Sequence, residues 1–470
     1  MKSQGEDCVL ALDVGTSSAR AARFDLRGRR VPHSLAQRPY PLHTDRSGKA
    51  EIDPRTLLDA VNDCLRESMG TRPFRAIGTS CFWHSLMGVN ASGDPLTPIY
   101  TWADSRCASD AAALREEFDE REIHAETGCM LRASFWPAKL RWLRRTNRSL
   151  FRSVAKWISP AEWLQWKLTG SATCATGMAT GTGLFNPTTL RWSDRMLEAC
   201  GLDPDKLLPV SDAPGQWEDV AWHPGIGDGA ASNLGSGATS SGLAAINIGT
   251  SAALRVMREG RTARAPFGMF CYRVDAKRFL VGGAVSNAGN LFAWCLRELN
   301  LPRDLAEIEA ELAARKLPEH GLTVLPFWNA ERAPRWNEED TGVIVGMRQS
   351  TTALDILQAL VEAFHYRLAA IADAIAEARD GVPKWIVSGG GLQSRPALKR
   401  LANIFGQPVY ASREVEASLR GAAVFVLEQL GERPVPLKLG SPILPQAEAH
   451  AVYREARERQ AKLEALFPET

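Results

Sequence analysis

The chain is 470 residues long, enough for about three domains or two large ones. Apolar residues make up 45% and charged residues 23%, which excludes disordered, collagen-like and coiled-coil classes. Lys plus Arg is 56 against 54 acidic residues, so the net charge of +2 gives no electrostatic reason to expect nucleic acid or another polyanion as a partner.

In chain order, the first element is an apolar strand from Val9 to Val14. The turn Gly15-Thr16-Ser17 follows, then a second strand that runs out at Gly28. Arg75 to Ser80 reads as a short buried strand. The stretch Gly225 to Gly242 is rich in Gly and Ser and reads as the boundary between domains. Just beyond it the opening pattern returns: Ala245 to Ile248, then Gly249-Thr250-Ser251, then a strand ending at Gly260. Two such hairpins, half a chain apart, predict two domains of like topology, residues 1–236 and 237–470. Gly-Thr-Ser is also a common turn, so two unrelated hairpins are the plainer alternative.

Leu322 to Pro326 and Lys384 to Ser388 read as further strands. From Thr352 to Arg379, Leu354, Leu357, Val361, Phe364, Leu368, Ile371 and Ile375 recur at helical spacing. Thr352 is placed to cap this helix, Asp355 to favour its positive end, and Gly381 to stop it. Ala447 to Leu466 reads as a charged surface helix. Strands alternating with helices predict an α/β class with mixed sheets.

The nine cysteines are scattered and none has C-x-x-C spacing, so they read as reduced core thiols. The N-terminal MKSQGEDCVL carries charges where a signal peptide needs an unbroken apolar stretch. No window approaches ~20 uncharged apolar residues, so no transmembrane span is expected and the cytoplasm is the expected compartment.

Five places carry residues suited to chemistry. Asp13 ends a buried strand before a turn rich in amides and hydroxyls, a pattern that suits phosphate with a metal ion held through water. Gly249-Thr250-Ser251 offers a second set of donors. Ser388-Gly389-Gly390-Gly391 follows a strand and leads to Ser394 and a helix start, where backbone can approach a nucleotide closely. Asp228, flanked by Gly227 and Gly229, reads as a carboxylate on exposed backbone, able to accept a proton, or as a plain surface turn. A further group, Trp83-His84 with Trp102-Ala-Asp104-Ser-Arg106, offers ring faces and polar groups for a polyol, or core packing. There is no G-x-x-x-x-G-K-[ST], no dinucleotide fingerprint after a strand, no H-E-x-x-H and no G-x-S-x-G.

Together, Leu12 to Ser17, Trp102 to Arg106, Gly227-Asp228-Gly229, Asn247 to Ser251, Gly282 to Gly289, Glu331-Arg-Ala-Pro334 and Ser388 to Gly391 resemble, in order and spacing, the FGGY carbohydrate kinases. The resemblance implies two ribonuclease H-like domains of the actin and hexokinase type, with mixed sheets around a central cleft. It implies ATP and Mg2+, with Asp228 as general base and Asp13 near the magnesium. Thr16, Ser17, Ser18 and Arg20 fall on its first phosphate motif, and Gly249 and Thr250 on its second. Gly289, Gly390, Gly391 and Ser394 fall on nucleotide-contacting positions. Trp83, His84, Asp104, Arg106 and Ser134, with Asp228, fall on the substrate side. Trp83-His84 and Ser134 depart from the glycerol kinase pattern, and the wording is most similar to gluconokinases. The implied activity is ATP-dependent phosphorylation of a small sugar or sugar acid, gluconate first and xylulose second. A non-catalytic actin-like binding protein is the rival. No membrane partner is expected, and family analogy points to a homodimer.

Overall fold

The computed structural model describes residues 8–70, 73–315, 317–377, 383–389 and 394–467. The chain divides into two compact units. The first gathers Met1–Thr239, Met257–Leu280 and Glu416–Leu437. The second holds Ser240–Val256, Val281–Val415 and Lys438–Thr470.

The sheet of the first unit is built from β1 (Cys8–Val14), β2 (Ser18–Asp25), β3 (Ala36–Pro39), β4 (Ala76–Cys81), β5 (Val220–Trp222) and β6 (Ile226–Gly227). Side by side they run β5-β4-β1-β2-β3, with β6 also paired to β4. β1 is antiparallel to β2 and parallel to β4. Every residue of β1 and β4 is buried, as expected of strands covered on both faces.

The second sheet uses β7 (Leu243–Ile248), β8 (Ala252–Glu259), β9 (Arg278–Val285), β10 (Lys384–Ser388) and β11 (Val409–Ala411), in the order β9-β8-β7-β10-β11. β8 and β9 cross the unit borders at Val256 and Val281. Five strands of each sheet follow the same order, while the strand Gly215–Trp217 extends the first sheet beyond β5 and the strand Phe270–Arg273 extends the second beyond β9. In each, a hairpin supplies the central pair, and its first strand lies parallel to the next strand inward, β4 or β10. The repeated hairpin wording is thus a duplicated topology, and both units are the expected α/β type.

The stretch Gly225 to Gly242 is not a plain linker. It forms β6 and the helix Asp228–Ser236, which Gly237 ends in a left-handed conformation, φ 83°. Its small residues serve packing. A β-carbon on Gly235 would overlap the carbonyl of Ala417, and one on Gly421 would overlap that of Ala231, so this helix and the helix Ala417–Gln429 meet backbone to backbone. The latter helix also lays Leu419, Ala422, Ala423, Val426 and Leu427 on Val9, Ala11, Ala22, Phe24 and Ala76. Each large apolar side chain buried there contributes roughly 1.5–3 kcal/mol. Arg420 ties the pair further, donating to the carbonyls of Gly235 at 2.8 Å and Gly28 at 3.1 Å.

In the second unit the expected long helix spans Ala353–Glu377, with its apolar stripe buried. Thr352 Oγ1 accepts from the Asp355 amide at 3.2 Å and Asp355 Oδ2 accepts from the Thr352 amide at 2.8 Å. Gly381, the expected stop, lies outside the described residues. Helix Ala447–Glu464 is more than a surface helix. It buries Tyr453 and Ala456 against Tyr366, Ala369 and Ile404. All nine cysteines are buried and none forms a disulfide. Among the described residues, no helix is long and apolar enough to cross a membrane.

Candidate active site

In the first unit, register brings the key residues to one edge. Asp13 pairs with Ser80 across β1 and β4, while Ser80 pairs with Ile226 and Cys81 with Gly227 across β4 and β6. Asp13, Ser80 and Asp228 therefore lie at the C-terminal ends of three parallel strands, the edge at which open α/β sheets bind ligands. Ser80 Oγ donates to Asp13 Oδ1 at 2.7 Å. Asp13 is 5% exposed, and burial pushes its carboxyl up to about 6. The Ser80 hydrogen bond opposes that shift and the nearby charge of Asp228 adds to it. Arg20 NH1 lies 3.7 Å from Asp13 Oδ2.

Asp228 is half-buried and opens the helix Asp228–Ser236, with Gly227 as its cap residue. Its Oδ1 accepts from the Gly229 amide at 2.7 Å. The surface-turn reading of Asp228 is therefore wrong: the residue sits in the first turn of a tightly packed helix.

The turn before β2 is closed by the Gly15 amide donating to the Ser18 carbonyl at 3.0 Å. Tyr40 braces it from outside, its hydroxyl donating to the Gly15 carbonyl and its amide to that of Ser17. Ser17 is left exposed and Thr16 half-buried, while buried Ser18 accepts from Gln37 at 3.3 Å.

Trp83 is only 4% exposed, and its indole N–H donates to the Gly177 carbonyl at 3.0 Å. The ring packs against the backbone of Gly181 and Gly227 and lies 4.9 Å from the Tyr272 ring. It forms a floor beneath the start of the Asp228 helix, not an open ring face. His84 is half-buried with φ 66°, an uncommon and costly conformation for a non-glycine residue that points to a functional constraint. Its Nδ1 lies 2.5 Å from the Gly181 carbonyl. A carbonyl only accepts, so Nδ1 carries the proton. Phe135 meets the imidazole edge-on at 4.9 Å, and half-buried Ser134 precedes it.

Asp104 and Arg106 belong to a different cluster. Arg106 grips both oxygens of Asp104, at 3.0 and 2.6 Å, and also bonds Glu51 at 2.5 Å. Asp104 Oδ2 further accepts from the Ala50 amide at 3.1 Å, and the guanidinium stacks over Trp142 at 4.6 Å. These side chains are spent on holding a loop together.

In the second unit, the Gly289 amide donates to the Gly249 carbonyl at 2.9 Å and the Asn290 amide to that of Thr250 at 3.1 Å, so the second turn sits against a helix start. Gly249 and Thr250 are exposed. Gly389, φ 115°, lies against Ile248, where no side chain would fit. Ser394 caps the helix Arg395–Phe405, accepting from the Ala397 amide at 3.3 Å. Gly390 and Gly391 lie outside the described residues. The duplication extends to the strand ends: Asn247 pairs with Ser388 where the first unit pairs Asp13 with Ser80. Asn247 Nδ2 donates to Ser388 Oγ, and Arg255 NH1 donates to Asn247 Oδ1 at 2.8 Å. An amide thus stands in the second copy where the first has an acid.

Residues 8–221 match the N-terminal domain of the FGGY family of carbohydrate kinases, and residues 244–427 match its C-terminal domain. The chain belongs to this family. It is a carbohydrate kinase of the two-domain FGGY fold, and the family implies ATP as phosphoryl donor. The kinase is 27% identical to the gluconokinase of Bacillus subtilis (strain 168), over 90% of this chain and 88% of the relative. Glycerol kinases are also among its relatives, with 30% identity to that of Thermus brockianus over 95% of this chain and 96% of the other. The crystal structure of gluconate kinase from Lactobacillus acidophilus superposes with a TM-score of 0.90 at 26% identity, covering 98% of both chains. That of xylulose kinase from the same organism gives 0.90 at 25%, with the same coverage.

Tyr272, Gly181 and Glu416 also lie at this edge, unmarked by any motif. Each reaches it from a distant part of the chain.

Proposed function

We propose that this kinase transfers the γ-phosphoryl group of ATP to a hydroxyl of a small open-chain sugar acid, with gluconate the first reading. The observation that carries it is the pair of carboxylates at the β1 and β6 ends: Asp13 is buried beside Ser80, and Asp228 is half-buried at a helix start. Asp228 accepts the proton of the attacking hydroxyl, worth ~10²–10⁴-fold in rate. Positioning supplies much of the rest. In the first unit, Thr16, Ser17 and Arg20 offer donors for phosphate oxygens; in the second, Gly249, Thr250 and Gly289 offer backbone suited to a nucleotide.

The residues fit a magnesium ion held mainly by phosphates and water. Among the described residues no three His, Cys, Asp or Glu side chains gather into a cage, and Mg2+ commonly keeps its waters and takes only one or two carboxylates. Asp13 would hold it through water, with Asp228 beside it. Bound there, the ion neutralises charge on the phosphates.

On the sugar side, His84 supplies an imidazole held by the Gly181 carbonyl, and Ser134 supplies a hydroxyl beside Phe135. Trp83 supports them from below. The gluconokinase and gluconate kinase relatives favour gluconate. Xylulose stands second, on the equal structural likeness of a xylulose kinase.

The test is a coupled assay of ADP release over gluconate, xylulose, glycerol and related polyols, ketoses and aldonates. Gluconate is expected to give the highest kcat/KM. A higher value for a ketose or polyol overturns the substrate, and silence across the panel overturns this choice of substrates as a class.

A further inference from the structure

The helix Ala417–Gln429 begins at the functional edge of the first unit, and Glu416 occupies its cap position. A short polar side chain there, Asp or Ser, ordinarily accepts from the amides of the first turn. Glu416 makes no such bond with its side chain. Instead, its Oε2 lies 3.4 Å from Arg20 NH1, the same nitrogen that lies 3.7 Å from Asp13 Oδ2.

Both separations exceed the ~2.7–2.9 Å of a charge-assisted hydrogen bond, so neither carboxylate has captured the guanidinium. Arg20 Nε is buried without a hydrogen-bond partner, which leaves the group with donor capacity unspent. Half-exposed between two acids, Arg20 is ready to accept a further anion.

We propose that Glu416 is the positioning residue for Arg20, drawing the guanidinium off Asp13 and holding it where a nucleotide phosphate meets it. This rests on the reading of Arg20 as a phosphate-holding group. Without Glu416, Arg20 would close onto Asp13 as a tight fork, and the phosphate would have to break that pair to bind. The anchor is firm because Leu419, Ala422 and Ala423, just along the same helix, are packed into the core beneath β1 and β2. The first turn of that helix also meets the catalytic element, with Ser418 Oγ donating to the Asp228 carbonyl at 3.4 Å. One distant segment therefore fixes both Arg20 and the backbone of Asp228.

The experiment is calorimetric titration of the full chain with MgATP, for the wild type, Glu416→Gln, Glu416→Asp, Arg20→Ala and the double variant Arg20→Ala with Glu416→Gln. Thermal melts are read alongside. Glu416→Gln is expected to weaken MgATP about tenfold at an unchanged melting temperature, and Glu416→Asp to recover most of that loss. The double variant should bind no worse than Arg20→Ala, because the two residues act as one unit. A lower melting temperature with unchanged affinity overturns the proposal, as does full additivity in the double variant. If Arg20→Ala leaves affinity unchanged, the phosphate reading of Arg20 itself falls. If Arg20→Ala weakens binding and Glu416→Gln does not, only the role of Glu416 falls.

Discussion

The indole of Trp83 lies directly against the backbone of Gly227, the residue that caps the Asp228 helix. A β-carbon at Gly227 would overlap the ring, and the ring has nowhere to go, with Gly181 and Tyr272 against it. Gly227→Ala is therefore expected to cost about 1–3 kcal/mol of stability by overpacking. It is also expected to lower kcat by about tenfold or more, through displacement of Asp228. Denaturant midpoints and steady-state rates measure the two. A variant with wild-type kcat would show that Trp83 does not set the height of Asp228.

Asp228→Asn keeps the size of the side chain but not its basicity. With Asp228 as the proton acceptor, kcat should fall by ~10²-fold or more while the melting temperature holds. A rate within a factor of a few of the wild type removes Asp228 from that role.

The Asp104–Arg106 pair is bonded through both carboxylate oxygens and stacked on Trp142, so its role is to hold its loop. A lysine cannot reproduce the fork or the stack. Arg106→Lys is expected to lose about 1–3 kcal/mol of stability and to leave the KM for the sugar nearly unchanged. A large rise in that KM would instead place the pair against the substrate.

His365 is fully buried on the long helix of the second unit, and burial, with the Arg400 charge next, pushes it down to about 3. The folded state keeps this imidazole neutral, while the unfolded chain protonates it below about 6.5. Its contribution is therefore whole above pH 6.5 and is lost as pH falls toward 3, by about 2 kcal/mol at pH 5. Replacement by an apolar residue of similar volume, His365→Leu, should flatten the acid limb of a stability-against-pH curve. An unchanged limb would assign acid sensitivity to other groups.

Much of this architecture is legible in the sequence, because hairpins are local. Leu12-Asp13-Val-Gly15 and Ile246-Asn247-Ile-Gly249 announce two sheets of one design, and the helical stripe from Leu354 to Ile375 is plain. Residues that act through packing are not legible. The stretch Gly225 to Gly242 reads as a domain boundary, and a unit border does fall within it, but composition does not show the helix, Ala417–Gln429, that needs its glycines and alanines small. Trp102 to Arg106 reads as polyol-binding equipment, and only the partners of Asp104 and Arg106 reveal an internal brace. Glu416 lies almost four hundred residues from Arg20, and no spacing rule reaches that far.

The late arrival of the helix Ala417–Gln429 also bears on synthesis. When the ribosome has released the chain through residue 236, every strand of the first sheet has been made, but the helix that covers Val9, Ala11 and Phe24 has not. That apolar face stays wet for the whole second half of translation, which makes the nascent kinase a natural client for chaperones. For the same reason, a fragment truncated at mid-chain would carry an open, adhesive sheet instead of a finished lobe.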